Sequence, residues 1–562
     1  MSIMRRKYFI SAFTVILVLM VVGTGCKKFL DVNKNVNNPT PASVSLSLVL
    51  SGAERNIANN LALGSTLGNE LSLYTHQITG RIAADRYGGP AYLWNELYSA
   101  ISNLNVIIKR APTENRFAYA GVAKILKAYT VSLLVDMWGD VPYSEYDRFD
   151  EGISQPKFDK GSEIYPQLLT LIDEGMADIN NPATNPTKPG TDDYIYKGNM
   201  ANWIKAANTI KLKLYTQVRL VQDVKSQVTA LLSTPANLIN SESESFMMPF
   251  GPISTTDDRH PAYGDYTATQ RGGQLFSPWL YEIMKGRNPD ILTGLADPRL
   301  PYYIYNQKSP LGGSNPTPEN CTEFRDGGFI SILFGSTGPC RDGSNSQTYS
   351  LLGIYPAGGR FNDSAAKSVN TLGNQNAGTG ARPHEFITYA DRLYLEAELI
   401  QAGVITGNAR DVFSKALDAT FAHVDNIVAN YVKPGSAGAA QNVPAIATLT
   451  ATKTYKDGVL AAYDAGGDAK KMEYIITEKW INRIENPVDN YTDYRRTKYP
   501  VLFAPAPEGI VTSVTGPDGK VTPVSNDRKY PWSLPFSTGE IGLNKNAPPQ
   551  KVAELYKVFW QP

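Results

Sequence analysis

Residues 385–421 read EFITYADRLYLEAELIQAGVITGNARDVFSKALDATF. Ile387, Ala390, Leu393, Ala397 and Ile400 recur at three- and four-residue steps, which predicts a helix over Glu385 to Gly403 with one apolar face. Ile405-Thr406-Gly407-Asn408 breaks the pattern. A second helix is predicted from Ala409 to Phe421, with Val412, Phe413, Ala416 and Thr420 turned towards the first. A helix, short turn and helix in about 34 residues is the size of a tetratricopeptide unit, although periodicity alone leaves a generic helical bundle open.

The same reading extends in both directions. Trp94, Tyr98, Ile101, Leu104 and Ile108 place a helical face within Tyr92 to Arg110, and Phe117 to Trp138 is so uniformly apolar that its helix should be largely buried. That helix should stop at Gly139-Asp140-Val141-Pro142. Further helices are expected at Ser162 to Ile179, Met200 to Leu220, Thr454 to Tyr463 and Met472 to Ile484. Between about Ser233 and Pro383 the chain turns to Gly, Pro, Ser, Asn and Tyr. A structureless loop of that length does not suit a compact domain, so an irregular, turn-rich insert is expected there. Trp94, Trp138, Trp203 and Trp480 lie on helical faces or helix ends and are expected in the core.

The N-terminus carries a different signal. Arg5, Arg6 and Lys7 precede an apolar run from Ala12 to Val22 and then Gly23-Thr24-Gly25-Cys26, the layout of a secretory signal ending at a cysteine. The run is too short for a comfortable membrane span. Small residues before Cys26 resemble the bacterial lipobox, which implies cleavage after residue 25, lipidation of the Cys26 thiol and a mature chain working outside the cytoplasm. More than one acyl chain is needed for a stable anchor. Residues 26–42 then form a polar, turn-rich leader. Asp31, Asn33 and Asn35 imitate the start of a calcium loop, but Val36 and Ala42 stand where that loop requires Gly and Glu.

Composition narrows the functional classes. Lys plus Arg number 54 and Asp plus Glu 53 in 562 residues, a net charge of +1 that provides no footprint for nucleic acid. With Cys26 spent on the anchor, Cys321 and Cys340 remain; in an exported chain they are most simply a disulfide worth about 3 kcal/mol, two free thiols being the alternative. His76, His260, His384 and His423 are far apart without metal-ligand spacing, so neither a metal nor a cofactor is expected. No nucleophile elbow, phosphate loop or zinc-helix motif occurs.

Several stretches converge on one family. Val135-Asp136-Met137-Trp138-Gly139-Asp140-Val141-Pro142-Tyr143, Tyr394-Leu395-Glu396-Ala397-Glu398-Leu399, Ile476-Thr477-Glu478-Lys479-Trp480-Ile481, Tyr491-Thr492-Asp493-Tyr494-Arg495-Arg496 and Arg528-Lys529-Tyr530-Pro531 together resemble the SusD/RagB family of nutrient-binding outer-membrane lipoproteins of Bacteroidetes. The resemblance implies a mostly α fold, a tetratricopeptide-like helical body over about 43–232 and 384–500. A loop-rich, ligand-facing insert would occupy about 233–383 and an irregular segment about 501–562. It also implies a non-enzymatic lid on a SusC-like, TonB-dependent outer-membrane channel. Such a lid catches oligosaccharides, or in some cases peptides, at the cell exterior. A lipid-anchored glycan hydrolase and a structural surface protein without ligand are the alternatives from other classes.

Sugar recognition rests on aromatic faces with amide and charged groups around them. The chain has 32 Tyr and 7 Trp. Those in Gly-rich stretches outside helical periodicity are the ligand candidates: Arg86, Tyr87 and Tyr92 in Arg86-Tyr87-Gly88-Gly89-Pro90-Ala91-Tyr92, then Tyr266 and Trp279 further on.

Overall fold

The computed structural model describes residues 44–80, 94–183, 187–268, 273–308, 324–334, 348–369, 378–432, 441–501, 513–515, 521–523 and 530–562. Two compact units divide the chain, Met1–Leu48 and Val49–Pro562. The second unit holds the helices and the core.

Its helices in chain order are α1 (Leu46–Leu61, begun in the first unit), α2 (Thr66–Tyr74), α3 (Asn95–Arg110), α4 (Phe117–Trp138), α5 (Gly161–Ile179), α6 (Met200–Val218) and α7 (Lys225–Leu232). After a stretch of short elements come α8 (Pro278–Met284), α9 (Tyr389–Gln401), α10 (Ala409–Asn426), α11 (Thr450–Ala465), α12 (Asp468–Asn482), α13 (Pro487–Thr497) and α14 (Thr538–Leu543). The fold is mostly α. Helix α4 is long and apolar enough to cross a membrane by composition, but it is buried almost throughout, as a central core helix should be. Its closest neighbour is α5, and small residues set the distance. A Cβ added at Gly121 would lie 2.5 Å from the Gly175 carbonyl oxygen, so glycine on both helices permits this crossing.

Helices α9 and α10 form the antiparallel pair expected from the 385–421 stretch, with Thr388 and Asp391 closing a reciprocal capping box at the start of α9. The helix begins later than the periodicity predicts. Residues Pro383–Ile387 are instead a strand, antiparallel to Phe246–Pro249, with His384 opposite Met248 and Glu385 opposite Met247. All five strand residues are buried, so the alternation that would have marked a strand is missing. This pair joins the two ends of the insert and closes it onto the body.

Residues 233–383 carry short elements among the described residues, and they are not a decoration on the surface. The two-residue and three-residue strands pair locally: Ile304–Tyr305 with Leu351–Leu352, and Phe324–Asp326 with Phe329–Ser331. Tyr303, Tyr305, Ile354 and Tyr355 are buried in one continuous core with Leu393, Phe413 and Trp480 of the helices. Arg299 crosses that boundary. Wholly buried, it chelates Asp297 within the insert and donates to Glu478 Oε2 of α12 at 2.7 Å, while Tyr455 of α11 donates to Glu478 Oε1 at 2.5 Å.

The C-terminal segment is likewise docked. Trp138, Trp203 and Trp480 are buried as expected, with Trp94 beside them, and Trp560 joins this set. Around the end of α4 the chain returns to hydrogen-bond Met137 (from Leu534 N, 2.8 Å), while Trp138 Nε1 donates to the Pro535 carbonyl at 2.9 Å. Gly139 ends α4 at φ +82°, and a Cβ there would lie 2.7 Å from the Tyr556 ring.

Candidate ligand-binding site

Of the ligand groups expected from sequence, Arg86, Tyr87 and Tyr92 lie outside the described residues, as do Cys26, Cys321 and Cys340. Tyr266 is placed differently from expectation. Its ring is 2% exposed and stacked on Tyr263 at 5.1 Å and 3°; its hydroxyl donates to the Leu352 carbonyl at 2.7 Å and accepts from Arg360 N. Burial pushes that hydroxyl's pKa up, and the residue packs the insert instead of presenting a ring to solvent. The short helix it occupies draws the ring inward, a turn that Gly-rich composition did not reveal. Trp279 stands in the first turn of α8, half-buried against the core.

Within the insert, a cleft of about 230 Å³ opens between the end of α8, the Phe324–Ser331 hairpin and the segment after Arg360. Tyr281, Lys285, Asn306, Asp326 and Asn362 line it. The Tyr281 ring stacks on Phe329 at 3.9 Å and 7°, which fixes its orientation, and its hydroxyl donates to Asp326 Oδ2 at 2.7 Å. Arg287 and Lys285 reach the same oxygen at 2.8 and 3.5 Å. Burial alone would raise the Asp326 pKa; the Tyr281 donation and the two cations hold it below the usual carboxylate range. Asp326 is therefore an ionised acceptor at neutral pH. Asn306 accepts from Ser350 Oγ at 2.7 Å through its carbonyl oxygen, which leaves its amide nitrogen as the group able to donate. Asn362 Oδ1 is buried without a hydrogen-bond partner among the described residues. Such an atom costs about 1–3 kcal/mol unless a donor reaches it. A charged acceptor, a neutral acceptor and a neutral donor around one cleft can satisfy several hydroxyls of a sugar ring.

A second polar constellation was invisible in the spacing of the sequence. His260 and His384 converge on Glu485, with His260 Nε2 2.8 Å and His384 Nδ1 2.7 Å from the same Oε1. Leu63 N donates to Oε2 at 3.2 Å, and Arg382 stands 3.4 Å from it. Arg382 also pairs with Glu385, which His423 Nε2 approaches to 3.0 Å while His423 Nδ1 meets Glu242 at 2.7 Å. Two histidines and a buried carboxylate are a possible metal set. The hydrogen bonds do not fit that use. Ala262 N donates to His260 Nδ1, so the lone pair is there and the proton is on Nε2, the atom aimed at Glu485. Arg382 further supplies the positive charge a cation would bring. The constellation is a buried ion network that ties the insert (His260), the 383–387 strand, α10 (His423) and the segment between α12 and α13 (Glu485) together.

The profile of the SusD-like family described as "Starch-binding associating with outer membrane" matches residues 37–320 and 333–517. No curated protein matches the chain. Solved structures with the same fold include a SusD homologue from Bacteroides fragilis, 18% identical, TM-score 0.65, covering 89% of this chain and 94% of that one. A SusD/RagB family protein from Bacteroides thetaiotaomicron is 17% identical, with TM-score 0.63 and coverage of 92% and 99%. A chitin-binding protein is 21% identical, with TM-score 0.61 and coverage of 88% and 95%. At these identities the structures establish the fold, and the profile match over most of the chain establishes the family: this chain belongs to the SusD/RagB family of nutrient-binding outer-membrane proteins.

Proposed function

We propose that this protein is a lipid-anchored, exterior-facing binding protein that captures an oligosaccharide and delivers it to a SusC-like, TonB-dependent channel, without catalysing a reaction. Cys26 is the proposed attachment point, and the 26–42 leader spaces the body from the membrane. The observation that carries the reading is the insert cleft, where Asn362 Oδ1 lacks a partner beside the ionised Asp326 and the Asn306 amide. Arg86, Tyr87 and Tyr92 are proposed to complete the ligand surface, with Trp279 next to them in rank; Tyr266 supports the cleft from within. The family's starch-binding description makes neutral glucose oligomers the first ligands to try. Titration of the soluble body (residues 27–562) with malto-oligosaccharides, other neutral glycans and short peptides tests this. Saturable binding of a neutral glycan that weakens in Asn362→Ala supports it, and binding of peptides alone overturns the glycan assignment. Co-purification of a SusC-like channel with the tagged, full-length protein tests the partner.

A further inference from the structure

Ser350 is wholly buried and does not line the insert cleft, yet its hydroxyl stands between the two elements that present the cleft's polar groups. Ile304 faces Leu352 and Tyr305 faces Leu351 in one antiparallel pair, so the register carries Asn306 opposite Ser350. Towards the other element, Ser350 N donates to the Ile330 carbonyl at 2.8 Å, and Ile330 N donates to Ser350 Oγ at 3.0 Å. Ile330 belongs to the Phe324–Ser331 hairpin that carries Asp326. One side chain thus joins the segment bearing Asn306 to the hairpin bearing the ionised acceptor.

A hydroxyl has one proton to give. With Ile330 N already donating to Oγ, the oxygens near that proton are Asn306 Oδ1 at 2.7 Å and the Gly328 carbonyl at 3.5 Å. The first distance is normal for an O–H···O bond and the second is beyond it, so the proton goes to Asn306. The terminal oxygen and nitrogen of an asparagine occupy almost the same space. Among the described residues, the bond to Oδ1 is the only hydrogen bond that the Asn306 side chain makes. Once the Ser350 proton is removed, no protein group there distinguishes an amide that shows its nitrogen to the cleft from one that shows its oxygen.

We infer that Ser350 is a positioning residue for the insert cleft: it holds Asn306 as a donor and so fixes the pattern of one donor beside the acceptors Asp326 and Asn362 that a ligand must match. This inference rests on the reading of the cleft as the ligand site. A ring or glycosidic oxygen, which only accepts, can meet the Asn306 nitrogen and is refused by its oxygen. Only molecules with the nitrogen turned to the cleft are competent to bind such a group. Without the Ser350 anchor, both amide orientations and several rotamers share the population, and apparent affinity falls by the fraction lost.

Calorimetric titration with maltohexaose, cellohexaose, laminarihexaose and the N-acetylglucosamine hexamer tests the inference on native protein, Ser350→Ala, Asn306→Ala and the double variant. For a glycan that the native protein binds, Ser350→Ala should weaken affinity by about three- to fivefold. The double variant should match Asn306→Ala within about twofold, because the group that Ser350 positions is already gone. Ser350→Ala also leaves Ile330 N without its acceptor and should melt below the native protein. A cleft that is merely softened would lose the same factor with or without the Asn306 side chain, so the cycle separates positioning from structure. Ser350→Ala combined with Asn362→Ala should multiply the two separate losses. Asn306→Asp keeps the Ser350 bond, turns an acceptor to the cleft and leaves Ile330 N satisfied. It should lose at least as much affinity as Asn306→Ala, and it decides the matter if Ser350→Ala does not fold. Multiplied losses in the Ser350 and Asn306 cycle, native affinity in Ser350→Ala, or native affinity in Asn306→Asp would each overturn the inference and leave the proposed function standing. Absence of binding by the native protein to all four glycans would overturn both.

Discussion

Trp560 Nε1 donates a 3.0 Å hydrogen bond to Asp136 Oδ1, joining the end of the chain to the last turn of the buried helix α4 across 424 positions. Tyr165 of α5 donates to the same oxygen, and Gln217 of α6 donates to Oδ2 at 3.0 Å. Arg495 of α13 completes the junction, donating to the Asp136 carbonyl at 2.6 Å and to the Trp532 carbonyl at 2.8 Å, with its guanidinium 3.7 Å from the Tyr491 ring centroid. The C-terminal segment is thus a clasp over the helical body.

Trp560→Ala should therefore destabilise the protein by about 3–5 kcal/mol, the range for deleting a buried Trp. Asp136→Leu should also cost several kcal/mol, since it strips the buried Tyr165, Gln217 and Trp560 donors of their acceptor. Denaturant unfolding measures both. Changes within about 0.5 kcal/mol would mean that the clasp is ornamental.

Arg299 makes a parallel case for the insert. Replacing it by Met leaves Asp297 and Glu478 buried without their counter-charge, a loss expected at about 3–5 kcal/mol. The triple replacement Asp297→Asn, Arg299→Met, Glu478→Gln, which removes all the charges together, should recover a large part of it. A triple variant as unstable as Arg299→Met alone would show that geometry, not charge, is what this junction supplies.

The histidine network predicts a pH dependence. Burial alone would lower the His423 pKa, but Glu242 and Glu385 raise it to about 10. A folded value above the unfolded one of about 6.5 means that the stabilisation is complete below about pH 6.5 and is lost as pH rises through about 10. The stability gap between the native chain and His423→Gln should therefore shrink on going from pH 7 to pH 10. Glu485 acts in the opposite direction. Burial would raise it, yet donation from His260 and the charge of Arg382 hold it at about 2, so its contribution is present above about pH 4.5 and fades as pH falls through about 2. Melting temperatures of both proteins across this range decide; a gap independent of alkaline pH would refute the charged state of His423.

Two expectations rest on the proposed export and the three cysteines. Cys26→Ser should release the body into the soluble fraction in cells lacking the channel partner, and retention on the membrane would refute the anchor. Mass spectrometry of freshly purified protein should find Cys321 and Cys340 joined, and two free thiols would refute the disulfide.

The long helices were legible because their apolar faces recur at helical spacing, and α4 because it is apolar on every side. Glu385–Ile387, the end of the Pro383–Ile387 strand, fits a helical series by sequence because burial on both faces removes the period of two, leaving Ile387 in register with α9 by coincidence. His260, His384 and Glu485 were unreadable as a group. His384 and Glu485 stand 101 positions apart and His260 and Glu485 225 apart, so only tertiary packing brings them together. Tyr266 failed as a solvent-facing ring for a related reason: a Gly-rich neighbourhood permits exposure but does not require it, and the partner that buries this ring, Tyr263, sits three residues upstream on the same turn. The aromatic density of the last 33 residues, with Trp532, Phe536, Tyr556, Phe559 and Trp560, was a readable hint that the C-terminal segment packs.

Isothermal titration of native, Asn362→Ala and Asn306→Ala proteins with a malto-oligosaccharide series and other neutral glycans decides whether the insert cleft holds a neutral glycan. The native protein should bind one neutral series saturably. Each variant should lose about five- to tenfold in affinity, the cost of about one hydrogen bond, with an unchanged melting temperature. Unaltered affinity in both variants, or the absence of neutral-glycan binding by the native protein, would contradict that assignment.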